Sequence, residues 1–225
     1  MSRCRVALVL AILSVSPASA QDLSGYLTAS LFVSPWSPQD VSGSPSLSYD
    51  NEGRTNRFLP GATIEAGVHL GPRIGVGVEV ALAPRRAIDQ THFYFNPFMK
   101  EARYRDTTIF VVARLRVGSD RAGVDLVGGG GLVRQSSLER TAPGRFGVDG
   151  YTFGALGPEV EVSRWGRGGM GGIDFSTQVS PRVSIGPQFR VVYADRGDIA
   201  TVPEFQSFGI PKVTYRIGLA IRAQF

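Results

Sequence analysis

The stretch 212–225, KVTYRIGLAIRAQF, constrains the fold more than any other part of this chain. Its odd positions are Val213, Tyr215, Ile217, Leu219, Ile221, Ala223 and Phe225; its even positions are Lys212, Thr214, Arg216, Gly218, Ala220, Arg222 and Gln224. One face is therefore apolar and carries an aromatic near each end, while the other is polar, cationic or small. Strict alternation is the period of a β-strand, whose successive side chains point to opposite faces. From Tyr215 to Phe225 such a strand runs roughly 34 Å. Tilted by about 40°, it projects to roughly 26 Å, close to the ~25 Å apolar band of a transmembrane barrel. Both aromatics then fall at the interfaces, where amphipathic rings prefer to lie. An edge strand of a soluble sandwich is the competing reading of this stretch alone.

The amino terminus bears on that choice. Arg3 and Arg5 precede an apolar run over 6–15, and Ala18-Ser19-Ala20 forms an A-x-A cleavage site. This pattern predicts a secretory signal peptide over 1–20 and a mature barrel domain over 21–225. Cys4, the single cysteine, leaves with the signal, so the mature chain is expected to have no disulfide. Loss of Arg3 and Arg5 lowers the formal net charge from +5 to +3, too small an excess to argue for nucleic acid. After the signal no apolar run is long enough for a spanning helix.

Period-two alternation recurs over eight segments: 23–33, 62–70, 73–83, 107–117, 122–133, 168–179, 182–193 and 212–225. The connections alternate in length. Short turns fall at 71–72, 118–121 and 180–181; long links fall at 34–61, 84–106, 134–167 and 194–211. Together these predict an all-β fold, an eight-stranded antiparallel up-and-down transmembrane β-barrel with short periplasmic turns and long extracellular loops. Loose alternation over 154–162 leaves room for strand extending beyond the membrane, or for ten strands.

With the aliphatic positions turned outward, no outward position in the eight segments is charged. The inward set then holds Glu65, Glu79, Asp125 and Asp174 against Arg114, Arg116, Arg182, Arg190, Arg216 and Arg222, with His69 beside them. A soluble ligand-binding barrel would do the reverse. Charges on a lipid face cost about 2–4 kcal/mol at the midplane, whereas lumen charges can pair. An eight-stranded interior is about wide enough to be filled by side chains. The lumen is therefore expected to be an ion-paired polar core rather than an open pore, with the inward Gly75, Gly77, Gly129 and Gly131 leaving room for arginines.

The signal peptide, the eight alternating segments, the alternating connection lengths and the final Phe225 make the chain similar to small bacterial outer-membrane barrels grouped with the OmpA transmembrane domain and OmpX. The resemblance spans essentially the whole mature chain and is architectural. It implies residence in the outer membrane, and it implies that the barrel-assembly machinery reads the last strand through Tyr215 and Phe225. Unlike full-length OmpA, no periplasmic domain is expected after Phe225. Fold analogy does not fix function.

Catalytic chemistry finds little footing. Some eight-stranded barrels modify lipid A, and one such family places Ser two residues after His; here His69 is followed by Gly71 and His92 by Tyr94. Glu65 and Glu79 face inward among arginines, which suits pairing better than proton transfer. Metal-ligand spacings are missing, and Gly128 to Gly131 is followed by Leu132-Val133 rather than by GK[ST], so it is no phosphate loop. No cofactor and no enzymatic activity are expected. Phe93, Tyr94, Phe95, Phe98 and Met99 crowd one link, either covering the barrel mouth or forming an exposed contact patch. Arginines at the loop bases suit pairing with outer-membrane lipids, lipopolysaccharide phosphates included. The expected protein is a monomer with a structural or surface-interaction role; the alternative is a narrow channel for small solutes.

Overall fold

The computed structural model describes residues 23–35, 60–92, 98–119, 121–148, 150–195 and 212–225. The stretch 1–20 expected to be a signal peptide, Phe93, Tyr94 and Phe95, and the larger part of the links 34–61 and 194–211 lie outside these residues. The described residues form ten strands: β1 (Leu23–Val33), β2 (Pro60–Leu70), β3 (Ile74–Leu82), β4 (Arg86–His92), β5 (Phe98–Gly118), β6 (Ala122–Gly147), β7 (Gly150–Phe153), β8 (Val160–Ser180), β9 (Val183–Asp195) and β10 (Val213–Gln224). Eight of them form a ring of antiparallel neighbours, β1-β2-β3-β5-β6-β8-β9-β10, closed where β10 pairs with β1. The described residues contain no helix long and apolar enough to cross a membrane.

The register measures the closure. Phe175 faces Pro187 in the unbroken register between Asp174↔Gln188 and Thr177↔Ile185. The row from Val124 then passes through Phe175, Pro187, Leu219, Leu31, Ala62, Leu82 and Thr107, and re-enters β6 at Arg134. The shear is the distance from Val124 to Arg134, ten residues for eight strands. That shear corresponds to a strand tilt of about 40°, within the usual range for barrels. No strand of the ring is left with an open edge inside the lipid, where an unpaired backbone group is costly.

The alternation reports which side faces lipid. Leu27, Leu31, Ile64, Val78, Val111, Leu126, Ile217, Leu219 and Ile221 are exposed, while their neighbours Tyr26, Thr28, Glu65, Glu79, Arg222 and Ala220 are buried in the lumen. At the turn between β2 and β3, Gly71 has φ +82°, a conformation that favours glycine.

Two long links are largely strand. The chain over 84–106 folds into a hairpin in which β4 pairs with the first half of β5, so Phe98 opposes His92 and Pro143. The chain over 134–167 continues β6 to Gly147, turns back through β7 and starts β8 at Val160. Outside the lipid neither face needs to be aliphatic, so these extensions carry no apolar alternation and read as loop. The outcome is eight staves plus two short strands. β5, β6 and β8 rise as a one-sided sheet well above β1, β2 and β3.

This arrangement predicts a labelling pattern. Single cysteines at Ser119 and Pro181 should resist a membrane-impermeant maleimide on whole cells, while one at Val148, fully exposed at the β6–β7 turn, should react. Labelling at both turns with protection at Val148 would invert the topology.

Candidate functional site: the charged lumen

The interior is built from like-charged neighbours on the strands. Glu65 lies directly opposite Glu79, Asp125 opposite Asp174, and Arg190 opposite Arg216. Like charges at facing positions repel, so each pair must be satisfied by opposite charges from other strands. Arg114 on β5 supplies the hub. Its Nε donates to Glu65 at 2.6 Å, its Nη2 to the second Glu65 oxygen, and its Nη1 to Asp174. Arg190 grips both oxygens of Asp174, with Nη2 to Oδ2 at 2.6 Å. Arg222 donates to Asp125 at 2.5 Å and to the Thr28 hydroxyl at 3.2 Å. Arg216 reaches Glu79 at 3.3 Å and Thr108 at 3.1 Å.

Tyr26 completes the layer. Its hydroxyl donates to Glu65 at 2.7 Å, and its ring lies 5.9 Å from the Arg114 guanidinium and 5.7 Å from that of Arg222. Four acids and four arginines, all buried, thus balance in charge. Bidentate, charge-assisted bonds of this kind are the strong ones. Together with the Arg216–Glu79 pair, they hold all eight strands of the ring to one another through the centre.

Three expectations change. Arg182 lies in the turn before β9 and is exposed, because the inward register begins only inside that strand. Arg116 is half-buried at the short-turn end, 3.8 Å from Asp125, at the rim of the network. The inward glycines do not chiefly make room for arginine. A Cβ on Gly77 would meet the Tyr26 hydroxyl at 2.7 Å and the Ala66 carbonyl at 2.6 Å, while Gly129 and Gly131 press against the backbone of β5 beside Val112 and Phe110. Gly172 does clear an arginine, with Arg190 Cδ at 2.7 Å from a built Cβ, besides the nearer Phe189 carbonyl oxygen.

Nor is the lumen wholly polar. Phe110, Val112, Val127, Val133, Met170, Val192 and Ala194 pack into an apolar cluster inside the barrel, towards the long-link end on the β5–β9 wall. The sequence places these on the inward parity, yet the inward face read from charged residues alone missed them. Above them Tyr104, Gln135, Ser137 and Glu139 are buried on the inward face of the protruding sheet. Burial, together with the Glu139 carboxylate, pushes the Tyr104 phenol above its ordinary range. At the short-turn end a small pocket of about 70 Å³ is lined by Arg116, Gln178, Val183, Ser184 and Gln224.

His69 is half-buried with its ring 4.7 Å from that of Tyr26, and its Nε2 has no hydrogen-bond partner among the described residues. No carboxylate among the described residues accepts from that nitrogen, so no acid–base pair is assembled there. Among the described residues no group of His, Cys, Asp and Glu could hold a metal ion. Tyr215 is exposed on the outer face and stacks on Phe189 at 6.3 Å. Phe225 pairs its backbone with Gly25 at the β1–β10 seam, at 2.8 and 2.9 Å, and lays its ring over that glycine. Of the aromatic cluster at 93–99, Met99 is half-buried in β5 and Phe98 opens that strand.

No family model matches the chain, and no curated protein matches it. Among solved structures it is similar to Ail, the attachment invasion locus protein of Yersinia pestis, at 11% identity and a TM-score of 0.46, over 91% of this chain and 99% of that one. It is also similar to Neisserial surface protein A, at 16% identity and a TM-score of 0.37, over 91% and 100%. A major outer membrane protein from Thermus thermophilus matches at 12% identity and a TM-score of 0.49, over 90% and 99%. The barrel itself follows from the ring closure. A closed ring that turns its aliphatic side chains outward and its ion pairs inward has the polarity of a chain folded in lipid: the fold is a small transmembrane β-barrel of eight staves.

Proposed function

We propose that this barrel is a non-enzymatic, monomeric envelope protein that acts through its extracellular sheet, with a lumen closed to solutes. The observation that supports this reading is the Arg114 hub. It spans the interior from Glu65 on β2 to Asp174 on β8, and the apolar cluster around Phe110 fills the space beside it. A solute path would have to break several buried charge pairs at once, and each break leaves an uncompensated charge. The protruding β5, β6 and β8 offer a rigid, charged surface, with Arg140 and Glu159 facing each other at 3.5 Å. The seam strand β10, with Phe225 against Gly25, is the element we assign to recognition by the assembly machinery.

Planar-bilayer recording on refolded protein tests the closed lumen. No conductance above the lipid background is expected. Discrete conductance steps that grow on Arg216→Met would establish the narrow channel instead.

A further inference from the structure

We infer that the outer face of β5, β6 and β8 binds the phosphate groups of an outer-leaflet glycolipid through Arg105, Arg134 and Arg167. This goes beyond the surface role above and does not depend on whether the lumen conducts. Parity places all three arginines on the lipid-facing side. Arg105 follows the outward row of Ile109 and Val111, Arg134 follows Leu126 and Leu132, and Arg167 follows Ile173. Register and tilt then place them at one height. Arg105 opposes Ser136, and Arg167 opposes Leu132. On the scale of β6 the three therefore sit at positions 136, 134 and 132, stepping back by two residues per strand. With a shear of ten over eight strands, a level line steps back by just over one residue per strand. The arginines thus form a level belt to within about one residue, and diagonal neighbours of this kind are roughly 7–8 Å apart.

The belt lies where a headgroup would be. Leu132 is the last aliphatic residue on the outward face of β6 before it, and Trp165 stands exposed opposite Arg134. On the next strands the outward Tyr193 and Tyr215 fall within about 4–6 Å below the same level, given the tilt and the rise per residue. Trp and Tyr at one depth mark a membrane–water interface. The guanidinium is weakly hydrated and matches phosphate with two parallel bonds, so arginine suits this site better than lysine.

The nearby acids leave the belt cationic. Glu161 lies 3.8 Å from Arg134, and Asp195, which opposes Arg167, lies 3.8 Å from Lys212. Arg105 is half-buried, and its Nε is shielded from solvent with no hydrogen-bond partner among the described residues. On the flank beyond β5 the outward rows of β3 and β2 hold no arginine and end, just below this level, in Leu82 and Pro60.

The test uses the full mature barrel refolded into vesicles of neutral phosphatidylcholine, the same with phosphatidylglycerol, and the same with diphosphoryl lipid A. The readout is the urea midpoint followed by heat-modifiable gel mobility. Lipid A should raise the midpoint of the wild type more than phosphatidylglycerol does. The Arg105→Gln/Arg134→Gln/Arg167→Gln variant should lose most of that rise while matching the wild type in neutral lipid. An Arg→Lys version of the triple keeps the charge, guards against a folding defect and should retain only part of the rise. Arg103→Gln/Arg140→Gln, above the belt, should retain all of it. An equal rise in the wild type and the glutamine triple would overturn the site. Equal rises with phosphatidylglycerol and lipid A, both lost in the triple, would reduce it to unspecific attraction to anionic lipid and overturn the glycolipid assignment.

Discussion

Replacing Asp174 with asparagine is expected to cost about 3–5 kcal/mol of barrel stability, the usual range for removing one partner of a buried ion pair. Asp174 takes both nitrogens of Arg190 and one of Arg114, and Arg222 stands 3.7 Å away. Its loss leaves several guanidinium groups in a closed interior with three acids to share. No single arginine substitution should restore this variant. Glu79 behaves differently, because its ion pair is with Arg216. Glu79→Gln alone should be costly, and adding Arg216→Met should recover part of the loss, since both charges vanish together. Urea unfolding from vesicles measures all of these. A value for Asp174→Asn within about 1 kcal/mol of wild type would mean that the lumen is hydrated well enough to screen the network.

Gly218→Val should block assembly, whereas Gly128→Val should be silent. Both glycines stand in strands, and residue type alone does not separate them. A Cβ on Gly218 would fall deep inside contact with the Leu31 carbonyl oxygen and at 2.9 Å from Phe32 Cα, on the strand that β10 must pair with to close the ring. Overpacking costs about 1–3 kcal/mol where neighbours can give way, and a backbone carbonyl in a ladder cannot. Gly128 is on the lipid face, and a Cβ built there would come no nearer than 4.0 Å to the Met170 carbonyl oxygen, so a valine adds apolar surface to the bilayer side. The comparison is the fraction of heat-modifiable protein in outer-membrane preparations. Equal folded fractions for the two variants would show that the β1–β10 seam is looser than this packing implies.

The eight staves were legible because lipid imposes one requirement along their whole length: every second side chain must be uncharged, and most of these are aliphatic or aromatic. That requirement writes Ile217, Leu219 and Ile221, or Val76, Val78 and Val80, into the sequence. It lapses above the membrane, so the upper halves of β5, β6 and β8 and the short β4 and β7 read as loops. There water satisfies either face, and only backbone pairing with a neighbour holds the strand.

The inward set of charges was legible for the same reason, as the complement of the aliphatic face. Which charges meet was not. The sequence alone set the parity of Glu65, Glu79, Arg114, Asp174 and Arg216, and so the polarity of the barrel. The tertiary structure decided that Glu65 and Glu79 are neighbours, that Arg114 reaches across to Asp174, and that Gly77 clears Tyr26 rather than an arginine. Parity is local, since it follows from the two-residue period of one strand. Partners are not local: they depend on the shear that closes the ring, and that shear is shared by all eight strands.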